Sequence, residues 1–101
     1  MGRSARHVYS DPADVQALEA LASELPANGH VRLMLKNGGT CEGVVAERAT
    51  VQVYYDPTEQ HQGINGELRL VRPDEPDWHR WMWLDEIARV EHLDSTLGSE
   101  N

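Results

Sequence analysis

The stretch from Leu35 to Gly43 places the strongest constraint on how this chain folds. An alternating apolar run leads into Asn37-Gly38, and a second short run follows with Gly43 in its interior. Asn-Gly steps supply the positive φ angles that a tight hairpin turn requires. A glycine inside a strand marks a bend or a close backbone approach. The sequence therefore predicts a tightly bent β-hairpin.

Size and charge limit the remaining possibilities. The 101 residues suffice for one domain with one core. Acidic residues outnumber basic ones 17 to 9, for a formal net charge of −8, and a field of that sign repels nucleic-acid phosphates. Cys41 is the single cysteine, which excludes an intrachain disulfide and a cysteine metal cluster. The arginines near the start precede no apolar segment, and no apolar run approaches a bilayer span. We expect a cytoplasmic protein without membrane contact.

A helix is predicted over about residues 12–25. Asp11 is a suitable N-cap, Pro12 suits the first helical position, and Pro26 with the following Asn-Gly step ends the helix. Apolar residues then recur at helical spacing: Val15, Leu18, Leu21, Ala22 and Leu25. This stripe is predicted to pack on the protein's own sheet, with a partner-binding face as the alternative.

From residue 30 the apolar period changes to two, which is typical of half-buried strands. Strands are predicted over residues 30–36, 40–47, 50–55, 67–71, 78–84 and 87–93, with loops over 58–66 and 72–77 and a helical turn at Asp85-Glu86. The fold class is mainly β with one N-terminal helix, as a small, strongly bent, five-stranded antiparallel barrel. An open sheet with the helix on one face is the alternative. A single domain is expected over 11–93, between flexible ends at 1–10 and 94–101.

The hairpin resembles the first Sm motif of Sm-like (Lsm) proteins. That motif combines an apolar strand, a Lys-Asn/Asp-Gly turn and a second strand with a glycine, as in Val31–Gly38 and Thr40–Gly43. The segment Leu84–Val90 is similar to the turn and last strand that close such barrels. The resemblance implies a helix followed by a bent five-stranded barrel of the Sm-like or SH3-like type. It also implies a small bacterial family with a variant Sm-like fold.

The family's RNA-binding residues do not carry over to this chain. Sm-like proteins that bind uridine-rich RNA use an Asp and an Asn after the second strand, and the matching positions here are Ala49 and Val53. The Arg-Gly step of their second motif is missing between Trp78 and Val90, and the acidic segment 74–77 precedes that region. The resemblance therefore implies the scaffold without the usual RNA contacts.

A few basic and aromatic residues remain as binding candidates. The weak candidates for a binding surface are Arg32, Lys36, Arg48, Trp78 and Arg80. Tryptophans stack on bases, and arginines supply charge beside them. Trp81 and Trp83 are predicted to share one strand face, in the core or in a subunit interface, and Trp78 is predicted to be the most exposed of the three.

No signature of catalysis or metal binding is found in the sequence. The five histidines lack ligand spacing, and the carboxylates of residues 74–77 lack the glycine and spacing of a calcium loop. We therefore predict no catalytic residues, no metal, no cofactor and no enzymatic activity. Sm-like barrels assemble by pairing exposed edge strands, so we expect a homo-oligomer, such as a dimer, or a protein-binding domain. An RNA-associated module that uses non-standard contact residues is the alternative.

Overall fold

The computed structural model describes residues 3–5, 7–58 and 60–93. The elements in this part of the chain are β1 (Arg3–Ser4), α1 (Pro12–Ser23), β2 (His30–Leu35), β3 (Thr40–Val45), β4 (Thr50–Tyr55), β5 (Gln62–Arg72), β6 (Glu75–Trp83), a 3-10 turn (Leu84–Glu86) and β7 (Ile87–His92). Within the described residues, no helix is long and apolar enough to cross a membrane. The predicted flexible tail at 94–101 lies outside them.

Helix α1 begins where the sequence predicts it. The Asp11 side chain accepts a hydrogen bond from the Ala13 N–H at 2.9 Å and so caps the helix, and Pro12 occupies the first turn. The helix ends at Ser23, slightly earlier than predicted, and Asn28 then adopts a positive φ of 69°. Leu18 is buried on the helix face that packs against β4, β5 and the 3-10 turn. The apolar stripe therefore packs on the protein's own sheet.

The β2–β3 hairpin follows the predicted motif with a different turn. The Leu35 N–H donates to the Gly39 carbonyl oxygen at 2.8 Å, and three residues lie between the two. Of Asn37 and Gly38, only Gly38 adopts a positive φ, 93°, while the Asn37 side-chain oxygen accepts from the Gly39 N–H at 2.8 Å. A three-residue loop with glycine at the positive-φ position is a common hairpin connection. Gly43 is a close approach, since a Cβ there would lie 3.1 Å from the Leu70 Cβ.

The strands form one curled, almost entirely antiparallel sheet. The strand order is β1-β4-β5-β3-β2-β7, and β6 pairs with β5 on the side away from β4. β3 and β4 both pair with β5, at Val44–Val45 and at Thr50–Tyr55, so they act as two parts of one bent ribbon. Five long ribbons and the short parallel β1 therefore form the sheet. The predicted fold class is confirmed, in the form of a half-barrel.

The core lies between the concave side of this sheet and α1. Its fully buried members are Leu25, Val31, Leu33, Val45, Leu68, Leu70, Leu84 and Ile87. Each large aliphatic side chain buried in this way stabilises the fold by about 1.5–3 kcal/mol. The alternation of buried and exposed residues along β2 and β3 is the two-residue period visible in the sequence.

Two predicted loops are shorter than the sequence indicated. The predicted loop over 58–66 is wrong for residues 62–66, because β5 already begins at Gln62 and pairs with β4. The predicted break over 72–77 reduces to a two-residue turn, since Arg72 pairs with Glu75 across Pro73 and Asp74. Glycine, asparagine and proline indicated loops there. Pro76 is accommodated because β6 is an edge strand, where a missing N–H is tolerated.

Candidate interaction surfaces

Arg32 lies in a row of alternating charges on the outer face of the sheet. It faces Glu42 on β3 and Glu91 on β7 in register. Its guanidinium lies 3.0 Å from the Glu91 carboxylate and 3.7 Å from that of Glu42. His30 Nε2 lies 3.1 Å from the same Glu42 carboxylate. Two carboxylates therefore neutralise Arg32, which leaves a weaker positive potential for an incoming phosphate.

Lys36 and Arg48 line different clefts. Lys36 lies in a small cleft of about 80 Å³ with Tyr9, Asp14 and Asp85. Arg48 follows β3 and lines a cleft of about 340 Å³ between α1 and the start of β4, together with Glu19. Both cations are exposed, and each shares its cleft with carboxylates. These surroundings attenuate their attraction for phosphate.

Trp78 is half-buried and packs under Arg72. The guanidinium carbon of Arg72 lies 4.0 Å from the Trp78 ring centroid, which is a close cation–π contact. Arg72 Nε donates to the main-chain oxygen of Glu42 at 3.1 Å, and its terminal nitrogen lies 3.7 Å from the Glu75 carboxylate. The ring therefore supports the turn between β5 and β6 and also reaches Gly43 on β3.

A groove of about 550 Å³ opens beside this stack. Carboxylates dominate its polar groups, and its lining includes His30, Glu42, Arg72, Asp74 and Glu75. Arg72 is already paired there, so the net field of the groove is negative. Such a groove disfavours phosphates and nucleic acids.

The exposed tryptophan is Trp81 rather than Trp78, so the prediction for Trp78 is wrong. Trp81 is 55% exposed on the outer face of β6, opposite Arg69 in register, and the guanidinium carbon of Arg69 lies 5.9 Å from its ring centroid. Trp83 shares that face, as predicted, and contacts Tyr54 edge to face with 5.1 Å between centroids. The register of the β5–β6 pairing shifts between Val71 and Arg72, next to the β5–β6 turn, and this irregularity buries Trp78 against β3. The alternation of residues in the sequence does not reveal this contact.

Arg80 lies on β6 on the same side as Leu70, its register partner, but its side chain is exposed. Among the described residues, the clefts and ion pairs bring no two of the candidate binding residues together. The candidate residues are Arg32, Lys36, Arg48, Trp78 and Arg80, and their role in binding stays a prediction.

Open strand edges are the larger feature of the surface. Over the described ranges, β6 pairs only with β5 and β7 pairs only with β2, which leaves one edge of each strand without a strand partner. The outer edge of β4 is different, because β1 pairs with Tyr54 and Tyr55 there. Unpaired N–H and C=O groups along an edge are a template for another strand.

The N-terminal strap, defined as residues 3–5 and 7–9, crosses the sheet from the outer edge of β4 to β5. Arg3–Ser4 pairs in parallel with β4, and the Ala5 N–H donates to the Tyr55 oxygen at 2.9 Å. Tyr9 then forms an antiparallel bridge with Ile64, in which both N–H groups donate, at 2.9 and 2.7 Å. The predicted flexibility of residues 1–10 stays a prediction, but this part of the segment is paired with the sheet.

The strap rests on a seat formed by small and polar residues of β5. A Cβ at Gly63 would lie 2.8 Å from the Val8 Cβ and 2.9 Å from the Tyr9 nitrogen, so glycine allows the strap to pass directly over the strand. Asn65 is fully buried; its Nδ2 donates to the His7 carbonyl oxygen at 2.8 Å, and its Oδ1 accepts from the Gly66 N–H at 2.7 Å. A buried amide of this kind is retained when its hydrogen bonds are satisfied.

Asp85 holds the other end of the strap. The Tyr9 hydroxyl donates to Asp85 Oδ2 at 2.8 Å, and His7 Nδ1 lies 3.8 Å from the same oxygen. Partial burial, followed by the hydrogen bond to Asp85 and the negative charge of that carboxylate, raises the pKa of Tyr9 to about 12. The neutral phenol is therefore the form that the folded protein prefers.

A second polar cluster closes the loop between β4 and β5. The Thr58 hydroxyl donates to Asp56 at 2.8 Å, and His61 Nδ1 lies 3.1 Å from the same carboxylate. The hydrogen bond from Thr58, with others from His61 and Gln60, lowers the pKa of Asp56 to about 2. The cluster is a self-satisfied turn that pairs its own donors and acceptors.

Metal chemistry receives no support from the described part of the chain, where no group of three or more His, Cys, Asp or Glu side chains could hold a metal ion. The features that sequence reasoning missed are the strap and its seat. Their only local signal in the sequence is the cluster Gly63, Asn65 and Gly66, a composition that predicts a loop rather than the strand observed there.

Comparisons with known proteins agree with this architecture. A protein-family model described as "Domain of unknown function (DUF3247)" matches residues 2–93. Among solved structures, the chain is similar to a Xanthomonas campestris protein whose crystal structure is described as adopting a novel variant of Sm-like motif. The two are 36% identical with a TM-score of 0.81, and the match covers 90% of this chain and 97% of that one. No curated protein matches the chain.

This similarity confirms the Sm-like resemblance first seen in the hairpin and extends it to 90% of the chain. The similar protein comes from a bacterium, as the resemblance implied. The family match, over residues 2–93, includes the strap, the helix and every strand from β2 to β7. The chain belongs to the DUF3247 domain family and has a variant Sm-like fold.

Proposed function

We propose that this chain is a non-enzymatic Sm-like domain that self-associates by pairing the open edge of β6 with the open edge of β7 of another copy. The observation that carries the proposal is the pair of unpartnered edges. Within residues 3–5, 7–58 and 60–93, β6 and β7 each have a strand on one side only. A heterologous contact of this kind joins two different edges and builds a closed ring or an open chain of subunits.

The side chains on β6 support an interface there. Trp81 is exposed, and Arg69 lies beside it on the same face. Tryptophan and arginine are the residue types most enriched among those that dominate binding energy at interfaces. An isolated chain leaves the indole ring in water, whereas a neighbouring subunit would cover it. Binding of another protein at the same edge is the second form of this proposal.

RNA association through Arg32, Lys36, Arg48, Trp78 and Arg80 is the weaker alternative. Carboxylates flank Arg32, Trp78 is covered by Arg72, and the formal net charge is −8. Phosphate binding depends on unpaired Lys and Arg side chains. We therefore place proteins before RNA among the partners.

Molar mass in solution tests the proposal, measured by light scattering with and without a short RNA. We expect a mass above that of one chain, unchanged by RNA. Trp81→Ser is expected to lower the mass towards the monomer. Val53→Ser is the matched control, because Val53 is similarly exposed, at 56% compared with 55% for Trp81, but lies on β4.

Two results would contradict the proposal. A monomeric mass for the unaltered chain, with no protein partner retained from a lysate, would exclude both self-association and protein binding. A mass that rises only when RNA is added, at low salt, favours the RNA-associated alternative.

A further inference from the structure

We infer that the N-terminal strap is a guard that keeps the β4 edge from pairing with the β4 edge of a second copy of this chain. The inference does not rest on the proposed function, since it concerns a different edge of the sheet. It concerns what happens when the strap leaves its seat, and the partner it predicts is the same chain.

The β4 edge carries none of the usual protection against strand addition. Its sequence, Thr50–Tyr55, contains no charged residue and no proline, and Val53 is 56% exposed. Natural edge strands are commonly blunted by charges, prolines or bulges. β6 has Pro76 and Arg80, for example, and β7 has charged residues. The β4 edge is therefore the one whose composition invites another strand.

The strap supplies the missing protection by occupying part of the edge. β1 pairs with Tyr54 and Tyr55, and Ala5 adds a hydrogen bond to Tyr55, so these positions are unavailable to another chain. Among the described residues, Thr50–Val53 pair with β5 on one side and have no register partner on their outer edge. Release of the strap extends the free edge from four residues to the six of the whole strand.

A second copy fits this edge better than a charged peptide. In a two-fold pairing each β4 faces the other, and an uncharged strand then places no like charges opposite each other. The cleft beside the edge contains both Arg48 and Glu19. A patch that carries one charge of each sign can be complementary to its own two-fold copy.

The seat of the strap gives a selective way to release it. The atoms that a Cβ at Gly63 would meet belong to Val8 and Tyr9, which are both strap residues. Gly63→Ala therefore displaces the strap while β4 and β5 keep their pairing. Tyr9→Pro is a second release variant that changes only the strap, because it removes the N–H that bonds to Ile64 as well as the phenol.

The experiment measures molar mass against concentration by light scattering, together with amide hydrogen exchange at Tyr55, which faces the strap, and at Tyr54, which faces β5 and serves as the internal control. All variants are made in the Trp81→Ser chain as well as in the unaltered one, so that association through β4 can be distinguished from association through β6. We expect Gly63→Ala to speed exchange at Tyr55, to leave Tyr54 protected by β5, and to raise the mass about twofold. Val53→Lys added to Gly63→Ala is expected to restore the starting mass, and Val53→Lys alone is expected to leave it unchanged.

Gly39→Ala is the matched control, because its nearest contact is the exposed Asn37 side chain, at 3.2 Å, rather than the strap. Faster exchange without any rise in mass overturns the inference, because the β4 edge would then be uncovered and still not pair with a second copy. A rise in mass that Val53→Lys does not reverse also overturns it, because association would then use another surface. If Gly63→Ala fails to fold, the same outcomes apply to Tyr9→Pro.

Discussion

The β4 edge and the β6 edge border the same sheet and solve the problem of unpaired backbone in different ways. The β4 edge is uncharged, and a segment from the same chain covers two of its residues. The β6 edge has no strand partner among the described residues, but it carries charges, a proline and the exposed Trp81. One edge is covered by a segment of the same chain, whereas the other is open and presents polar groups and an exposed aromatic ring to a partner.

The difference shows which edge is available to a partner without rearrangement. Pairing at β6 requires no movement of the described elements, and Trp81 is already exposed for contact. Pairing over the whole of β4 requires the strap to leave Tyr54 and Tyr55. Assembly at β6 is therefore expected to depend on concentration alone, whereas assembly at β4 depends also on the strap equilibrium.

The largest loss of stability is expected from Gly66→Ala, which displaces β4 and so tests its place in the comparison. A Cβ there would lie 2.5 Å from the Leu84 Cδ1 and 2.7 Å from the Thr50 carbonyl oxygen, so β4 or the 3-10 turn must move. We expect a loss of about 3 kcal/mol in the free energy of unfolding, measured by urea denaturation. The control is the exposed Gly39→Ala, expected within about 0.5 kcal/mol of the unaltered chain. Equal stability of the two variants would show that β4 is not held there.

A smaller effect is expected on the β6 side, from the two tryptophans. Trp78→Ala removes the ring that packs under Arg72 and against Gly43, and we expect a loss of about 2 kcal/mol, below the ~3–5 kcal/mol of a fully buried tryptophan. Trp81→Ala is expected to change the stability of the isolated chain by less than about 0.5 kcal/mol, because its ring is largely in water. Thermal unfolding at low concentration compares them, and the reverse order would contradict the placement of Trp78.

An effect smaller than that of Trp78→Ala is expected at neutral pH from Tyr9→Phe, which weakens the strap. Loss of the hydrogen bond to Asp85 is expected to cost about 1 kcal/mol. The pKa of Tyr9 is raised from 10.0 to about 12 in the folded protein, so its contribution is complete below pH 10 and is lost as the pH rises towards 12. The stability of the unaltered chain should therefore fall more steeply over that range than that of Tyr9→Phe. Denaturation at stepped alkaline pH measures the difference, and parallel curves would contradict it.

Local signals in the sequence predicted the elements that local interactions form. Asp11 and Pro12 specify the start of α1, and the strand Thr50–Tyr55 was placed at its observed limits because β-branched and aromatic residues favour extended backbone. Gly43 was predicted to mark a bend or a close backbone approach, and the structure shows a close approach. Each of these signals lies within a few residues of the structure that it specifies.

The prediction failed where distant segments decide the conformation. Residues 62–66 look like a loop, yet they form the start of β5, because β4 and the strap flank them on both sides. Trp78 and Trp81 are indistinguishable by type, and only the β5–β6 turn decides which ring is covered. For Arg32 the sequence showed an exposed cation, whereas the carboxylates that neutralise it come from strands β3 and β7.

The sequence by itself determined the scaffold: one capped helix, a hairpin with Gly38 at its turn and a bent antiparallel sheet of the Sm-like kind. Turn chemistry, capping and apolar period are local properties, so they can be read along the chain. Only the tertiary structure decided which edges of the described sheet are open and which is covered by residues 3–5. Those contacts join segments some fifty residues apart, because Arg3 pairs with Tyr54, and no local pattern encodes such a pairing.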